Sequence, residues 1–116
     1  MAVIEQFLGR RVEIPEGCRY DIKQGLWGKC DDETIVFGLT QAALVLHGGI
    51  KGIDWLVDEH QTVRKGDAVL FSITGKILYL ETPTAGRIRF NKNVKENLSV
   101  VQTDPYEEGW LFLIQP

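Results

Sequence analysis

The chain has 116 residues and a mass of 13.1 kDa. That is enough for one small domain with a real core, since 44% of its residues are apolar. A net charge of −3 and a pI near 5.3 argue against a nucleic-acid or anionic-membrane surface, which would need clustered Lys and Arg. No run of 18 apolar residues is present, so no membrane span is expected. Residues 1–17 lack a basic start followed by an apolar core and a cleavage site, and the chain reads as mature and cytoplasmic.

In chain order, Arg10-Arg11 precede a turn signal at Ile14-Pro15-Glu16-Gly17. Tyr20-Asp21-Ile22 reads as extended. Residues 26–30 and 34–39 read as a strand pair around the polar turn Asp31-Asp32-Glu33. Thr40 is an N-cap candidate for a short helix over 41–47, stopped by Gly48-Gly49. Residues 50–57 form a strand with Asp54 as a polar break, and Asp58-Glu59-His60 is a loop. A tight turn over residues 63–67 leads into two apolar runs, 68–73 and 77–80. These bracket the tip Thr74-Gly75-Lys76 and predict a hairpin. Pro83, Ala85 and Gly86 bend the chain into an alternating strand over 87–90. Apolar residues at 94, 98 and 101 predict a second helix, ended by Asp104-Pro105, and residues 110–114 form a last strand. The fold class is therefore mainly β with two short helices, a single domain over 1–116, built as a small barrel or sandwich.

The hairpin tip carries the functional signal. Lys76 is the one lysine inside it, held into solvent on a rigid platform. In an arbitrary hairpin such a lysine is merely solvated; as an attachment point for a covalent arm it would be well placed. Gly75 is expected to supply a positive φ at the tip, and Thr74 serves either as turn-former or in recognition of the tip. Val69, Phe71, Leu78 and Leu80 read as packing residues, and Trp27, Trp55 and Trp110 as core anchors. Cys18 and Cys30 fit no zinc spacing and read as ordinary reduced thiols, with a role in sulfur exchange as the alternative. No catalytic constellation, nucleotide-cradling loop or metal cluster is discernible, so the chain is expected not to be an enzyme.

Tyr20-Asp21 is followed by Trp27, a strand is expected to run into a helix over residues 34–43, and Val63-Arg64-Lys65-Gly66-Asp67 leads into the hairpin. Pro83-Thr84-Ala85-Gly86-Arg87-Ile88 follows it, and Asn91 precedes Asp104-Pro105-Tyr106-Glu107-Glu108-Gly109-Trp110-Leu111, the most specific of the set. In this order these motifs resemble the H protein of the glycine cleavage system and, more broadly, lipoyl domains. The resemblance implies a lipoyl-domain-like flattened barrel-sandwich hybrid. It also implies lipoic acid amide-linked to Lys76, on a swinging arm whose sulfurs cycle by thiol–disulfide exchange. Its partners would be a lipoate–protein ligase or octanoyltransferase, dihydrolipoyl dehydrogenase, and the pyridoxal-phosphate decarboxylase and aminomethyltransferase (P and T proteins) of glycine cleavage.

The chain departs from the family pattern at the tip. The family's "E-S-V-K-A" is absent, and the tip reads Ile73-Thr74-Gly75-Lys76-Ile77. Lys76 lies seven residues before Pro83, where the family lysine lies eight before its proline. Either the outgoing strand is one residue shorter and Lys76 is the attachment site, or an ungapped register puts Gly75 there and the arm is lost. Gly25-Leu26 stand where H proteins carry His-Glu, and Ile73 replaces the acidic residue before the lysine. The tip and Tyr20-Asp21-Ile22 with Trp27 are also similar to H-like lipoate-binding proteins of sulfur oxidation, which would serve a heterodisulfide-reductase-like complex. Three functions follow: an H-protein-type carrier, a sulfur-carrying relative, and an unlipoylated scaffold. A biotinyl domain is weaker, because no Met flanks Lys76.

Overall fold

The computed structural model describes residues 25–116 in full, apart from the side chain of Asp31. Before them it describes the backbone of three strands, Ala2–Phe7 (β1), Arg10–Ile14 (β2) and Arg19–Asp21 (β3). The expected turn at Ile14-Pro15-Glu16-Gly17 and the thiol of Cys18 lie outside the described residues. Strands β1 and β2 pair with each other, and β3 pairs with Leu26–Asp31 (β4) through Tyr20↔Trp27.

Strand β4 and its partner Thr34–Leu39 (β5) run antiparallel from Leu26↔Leu39 to Asp31↔Thr34. Their turn is closed by Asp32 at φ 55°, a left-handed conformation that Asp tolerates better than most residues. The chain then enters helix α1, Gln41–Leu46. Thr40 caps it as expected, its hydroxyl accepting from the Ala43 N–H. Gly48 and Gly49, both at positive φ, end it.

Two larger antiparallel sheets follow. One has six strands in the order β3-β4-β5-β11-β10-β7, where β7 is Thr62–Val63, β10 Gly86–Phe90 and β11 Phe112–Gln115. The other has three, β6-β8-β9, with β6 Gly52–Trp55, β8 Ala68–Ile73 and β9 Ile77–Glu81. This is the mainly β fold expected, as open sheets rather than a closed barrel. A continuous apolar cluster joins the sheets. Val69 and Leu70 come from β8, Leu80 from β9, Ile88 from β10, and Phe112 and Ile114 from β11, all at 3% exposure or less. Each such side chain contributes about 1.5–3 kcal/mol relative to exposure. Phe37 stacks on Phe112 with centroids 4.9 Å apart.

The second helix differs from expectation. Instead of one helix through 94–102 there are two short ones, Asn93–Glu96 (α2) and Ser99–Thr103 (α3), making three helices among the described residues. Asn97, at φ −133° and ψ 78°, leaves the helical region, and its side chain accepts from the Ser99 hydroxyl. Val94 and Val101 are fully buried, which explains the helical spacing of the apolar residues across the break. The last strand also begins later than expected, because Trp110 and Leu111 still belong to the loop before Phe112. Trp55 stacks on Phe90 at 4.3 Å, with the Lys95 ammonium 5.6 Å from its ring. Lys95 also pairs with Asp54, whose carboxyl is held below its usual range chiefly by that hydrogen bond.

The C-terminal motif is a brace. Asn91 is buried, and its amide donates to the carbonyls of both Glu108 and Trp110 while its oxygen accepts from the Asn93 N–H. The buried Trp27 indole donates to the Pro105 carbonyl at 3.0 Å. Tyr106 packs near Trp27, and its hydroxyl accepts from the first backbone N–H of α1, at Gln41. Asn91→Ala removes three bonds and strands two carbonyls. It is expected to lower stability by about 2 kcal/mol, read as a lower urea midpoint at unchanged slope.

Candidate functional site

The hairpin β8–β9 positions the candidate site. From the tip inward its pairs are Ile73↔Ile77, Ser72↔Leu78, Phe71↔Tyr79 and Leu70↔Leu80. The next pair is Ala68↔Glu81, so β8 holds one more residue than β9 at the base of the hairpin. This is a β-bulge at Val69. It explains why Val69 and Leu70, adjacent in sequence, are both fully buried. Beyond the bulge the strands alternate. Leu70, Ser72, Leu78 and Leu80 face inward, while Phe71, Ile73, Ile77 and Tyr79 face outward. Phe71, expected to pack, does so only half-buried on the outer face against Tyr79.

Three residues, Thr74, Gly75 and Lys76, form the tip between the paired Ile73 and Ile77. Thr74 is buried. Its N–H donates to the Lys76 carbonyl at 2.9 Å and its hydroxyl donates to the same oxygen at 3.3 Å. These bonds close the turn locally and hold the tip's shape. Gly75 departs from expectation, since it is not among the glycines at positive φ. A Cβ built there meets nothing within 4 Å. The turn needs no left-handed residue, because Thr74 closes it instead. The Lys76 side chain is exposed.

Beneath the tip lies a groove of about 370 Å³ between α1 and the hairpin. Ala43, Leu44 and Leu80 give it apolar walls, and Ser72 and Thr74 line it from the β8 side. Thr74 thus belongs to both the turn and the groove. His47 and Glu81 also line it. The groove was not foreseen, because it joins a helix and a hairpin some thirty residues apart, and a linear reading of the apolar pattern cannot distinguish a groove wall from a core position.

Other candidate groups lie elsewhere. Cys30 is an exposed free thiol on β4, in the six-stranded sheet and not in the sheet that carries Lys76. Among the described residues no group of three or more His, Cys, Asp or Glu could hold a metal ion. Trp27 is the buried anchor expected, whereas Trp55 and Trp110 are half-buried. The Glu59 carboxyl is held low, chiefly by its hydrogen bond to Lys92 at 2.9 Å, and takes no part in the hairpin. No helix among the described residues is long and apolar enough to cross a membrane.

Comparison with known proteins agrees with this geometry. A glycine cleavage system H protein of Anaeromyxobacter sp. (strain K) is 31% identical over 107 residues, covering 90% of this chain and 82% of that protein. One of Thermus thermophilus is 29% identical over 107 residues, with the same coverage. The crystal structure of a glycine cleavage system H protein from Mycobacterium marinum superposes with a TM-score of 0.78 at 25% identity, covering 89% of this chain and 86% of the other. The family model described as glycine cleavage H-protein matches residues 18–116. On these grounds the chain belongs to the glycine cleavage H-protein family.

Proposed function

We propose that this chain is a lipoyl carrier of the H-protein type, with lipoic acid joined through an amide to Lys76, and not itself an enzyme. Family membership supports the carrier role. The observation that carries the assignment of the site is the position of Lys76, exposed on a three-residue tip whose first residue, Thr74, also lines a groove with apolar walls. Lys76 is the one lysine inside the hairpin, and a register with one fewer residue in the outgoing strand brings it seven residues from Pro83.

The residues present suit the group. Acylation would remove the ammonium charge, and the arm would lie against Ala43, Leu44 and Leu80, with the hydroxyls of Ser72 and Thr74 beside it. When bound, lipoic acid supplies thiol–disulfide exchange and a thiol that carries cargo. The chain's own part is to hold the attachment point rigidly, so that no ordering is needed at each visit to a partner. Tethering then raises the arm's local concentration at a docked enzyme to roughly the millimolar range. The partners of this reading are a lipoate–protein ligase or octanoyltransferase, dihydrolipoyl dehydrogenase and the P and T proteins, in the cytoplasm.

Intact mass tests the proposal. Protein made in a lipoate-supplied host with its cognate ligase is expected to gain a single lipoyl or octanoyl adduct, mapped to Lys76. An unmodified chain beside a fully lipoylated control H protein would leave the scaffold reading.

A further inference from the structure

His47 follows the apolar run Ala42-Ala43-Leu44-Val45-Leu46 of α1 and lines the groove, half-buried. The helix does not need its imidazole in order to end. The backbone N–H groups of His47, Gly48 and Gly49 donate to the carbonyls of Ala43, Val45 and Leu44. No hydrogen bond or ion pair joins the imidazole to another side chain among the described residues. His47 is also the one group among the described lining residues that can carry a positive charge. Two other lining residues titrate. Tyr79 turns to the outer face of the hairpin, and Glu81 is an exposed carboxylate on β9. The neutral amide of Gln102, from α3, approaches the chain at Gly49. Strand β2 lies beside α1 and carries Arg10, Arg11 and Glu13.

We propose that His47 is the proton acceptor for a thiol held in this groove, and that the thiol belongs to the reduced lipoyl arm. The inference rests on Lys76 being the attachment site. Thr74 of the tip and His47 at the end of α1 line one groove, so a chain that enters past Thr74 leads toward the imidazole. A lysine bearing an eight-carbon acyl chain reaches roughly 14 Å from its Cα at ordinary bond lengths. The apolar walls suit its methylenes and leave the sulfur end to the groove's polar groups. The hydroxyls of Ser72 and Thr74 are no bases near neutral pH, whereas an imidazole titrates there. His47 accepts the proton at a ring nitrogen. The S–H bond breaks, an N–H bond forms and the electron pair stays on sulfur, with no oxidant or reductant consumed. The imidazolium then stabilises the thiolate beside it, as a neighbouring cation does for thiols in general. Exchange proceeds through the thiolate, so His47 raises the reactive fraction below the pH at which a thiol ionises unaided. Above that pH the neutral imidazole adds nothing.

The test uses the full chain carrying its lipoyl group, reduced with a phosphine and desalted. Intact mass and peptide mapping first verify one adduct on Lys76. Initial rates of alkylation by iodoacetamide are then read at the Lys76 peptide, so that Cys18 and Cys30 do not contribute. At about pH 6.5 the parent is expected to react about fivefold faster than His47→Gln, whose amide cannot take the proton. Above about pH 9.5 the two rates should converge, because the thiol then ionises alone. His47→Asn, with a residue well suited to a helix end, carries the same expectation. His60→Asn replaces the chain's other histidine, outside the groove lining and at a positive φ that Asn tolerates, and should follow the parent at every pH. Thermal unfolding verifies that each variant is folded. Equal rates for the parent and both His47 variants at about pH 6.5 would overturn the proposal. So would a difference that persists unchanged to high pH, which would make His47 a matter of access alone. A parent chain without the Lys76 adduct fails earlier, at the mass measurement, and overturns the attachment site and this inference together.

Discussion

Lys76→Arg is expected to abolish the lipoyl adduct completely, with no loss of stability. Arginine keeps the positive charge and the approximate length of the side chain at an exposed position. What it removes is the chemistry. A lysine ammonium can lose a proton to become a nucleophilic amine, whereas a guanidinium stays protonated and delocalised. The chain retains other exposed lysines, among them Lys51, Lys65 and Lys95, so a residual adduct would have somewhere to go. An adduct of equal yield on any of them would overturn the site.

The register has its own variant, Gly75→Lys combined with Lys76→Gly. Gly75 has open space around a built Cβ and an ordinary backbone conformation, so the turn accepts a lysine there. The swap moves the amine by one residue while Thr74 still bonds to the backbone of position 76. If the acylating enzyme requires the lysine beside Ile77, the swapped chain is modified slowly or not at all. Intact mass and peptide mapping report both variants.

What could be read before the structure was local. Thr40 announces its helix because a cap is a contact between residues three apart, and β4–β5 is legible because its two apolar runs are joined by a short polar turn. The tip was placed correctly from the two apolar runs around it. Its internal support was not, since a glycine between strands suggests a left-handed turn, while here the Thr74 side chain performs the closure. The bulge at Val69 was also hidden. Apolar residues at 68–71 fit a plain strand equally well, and only the pairing with Leu80 and Glu81 reveals the extra residue. That residue sets which side chains face inward and which face outward along the hairpin, because a one-residue slip exchanges the faces of a strand. The groove is lined jointly by α1 and the hairpin, an arrangement with no signature in either segment alone.

The glycines separate structural from functional positions, and Gly86→Ala is expected to be strongly destabilising. Gly86 sits at φ 151°, which L side chains rarely adopt. A Cβ there would lie 2.5 Å from the Gln115 carbonyl oxygen and 2.6 Å from an Ile114 methyl. The first obstacle is backbone in the paired strand β11, so it cannot swing aside. Strain of this kind costs about 1–3 kcal/mol, and forcing a methyl into a closed site costs a further 1–3 kcal/mol or so. A loss of about 2–6 kcal/mol is a large part of the roughly 5–15 kcal/mol that holds a small domain together. Gly75→Ala, with no such neighbours, is expected to change stability by less than about 0.5 kcal/mol. Urea unfolding of the two variants beside the parent measures the difference. Equal midpoints would mean that β10 can shift away from β11 at its first residue. The same experiment bears on function, because Gly86 belongs to the other sheet and not to the one that carries the tip. Its alanine variant should therefore be acylated at Lys76 at the parental rate per folded molecule, however few of its molecules are folded.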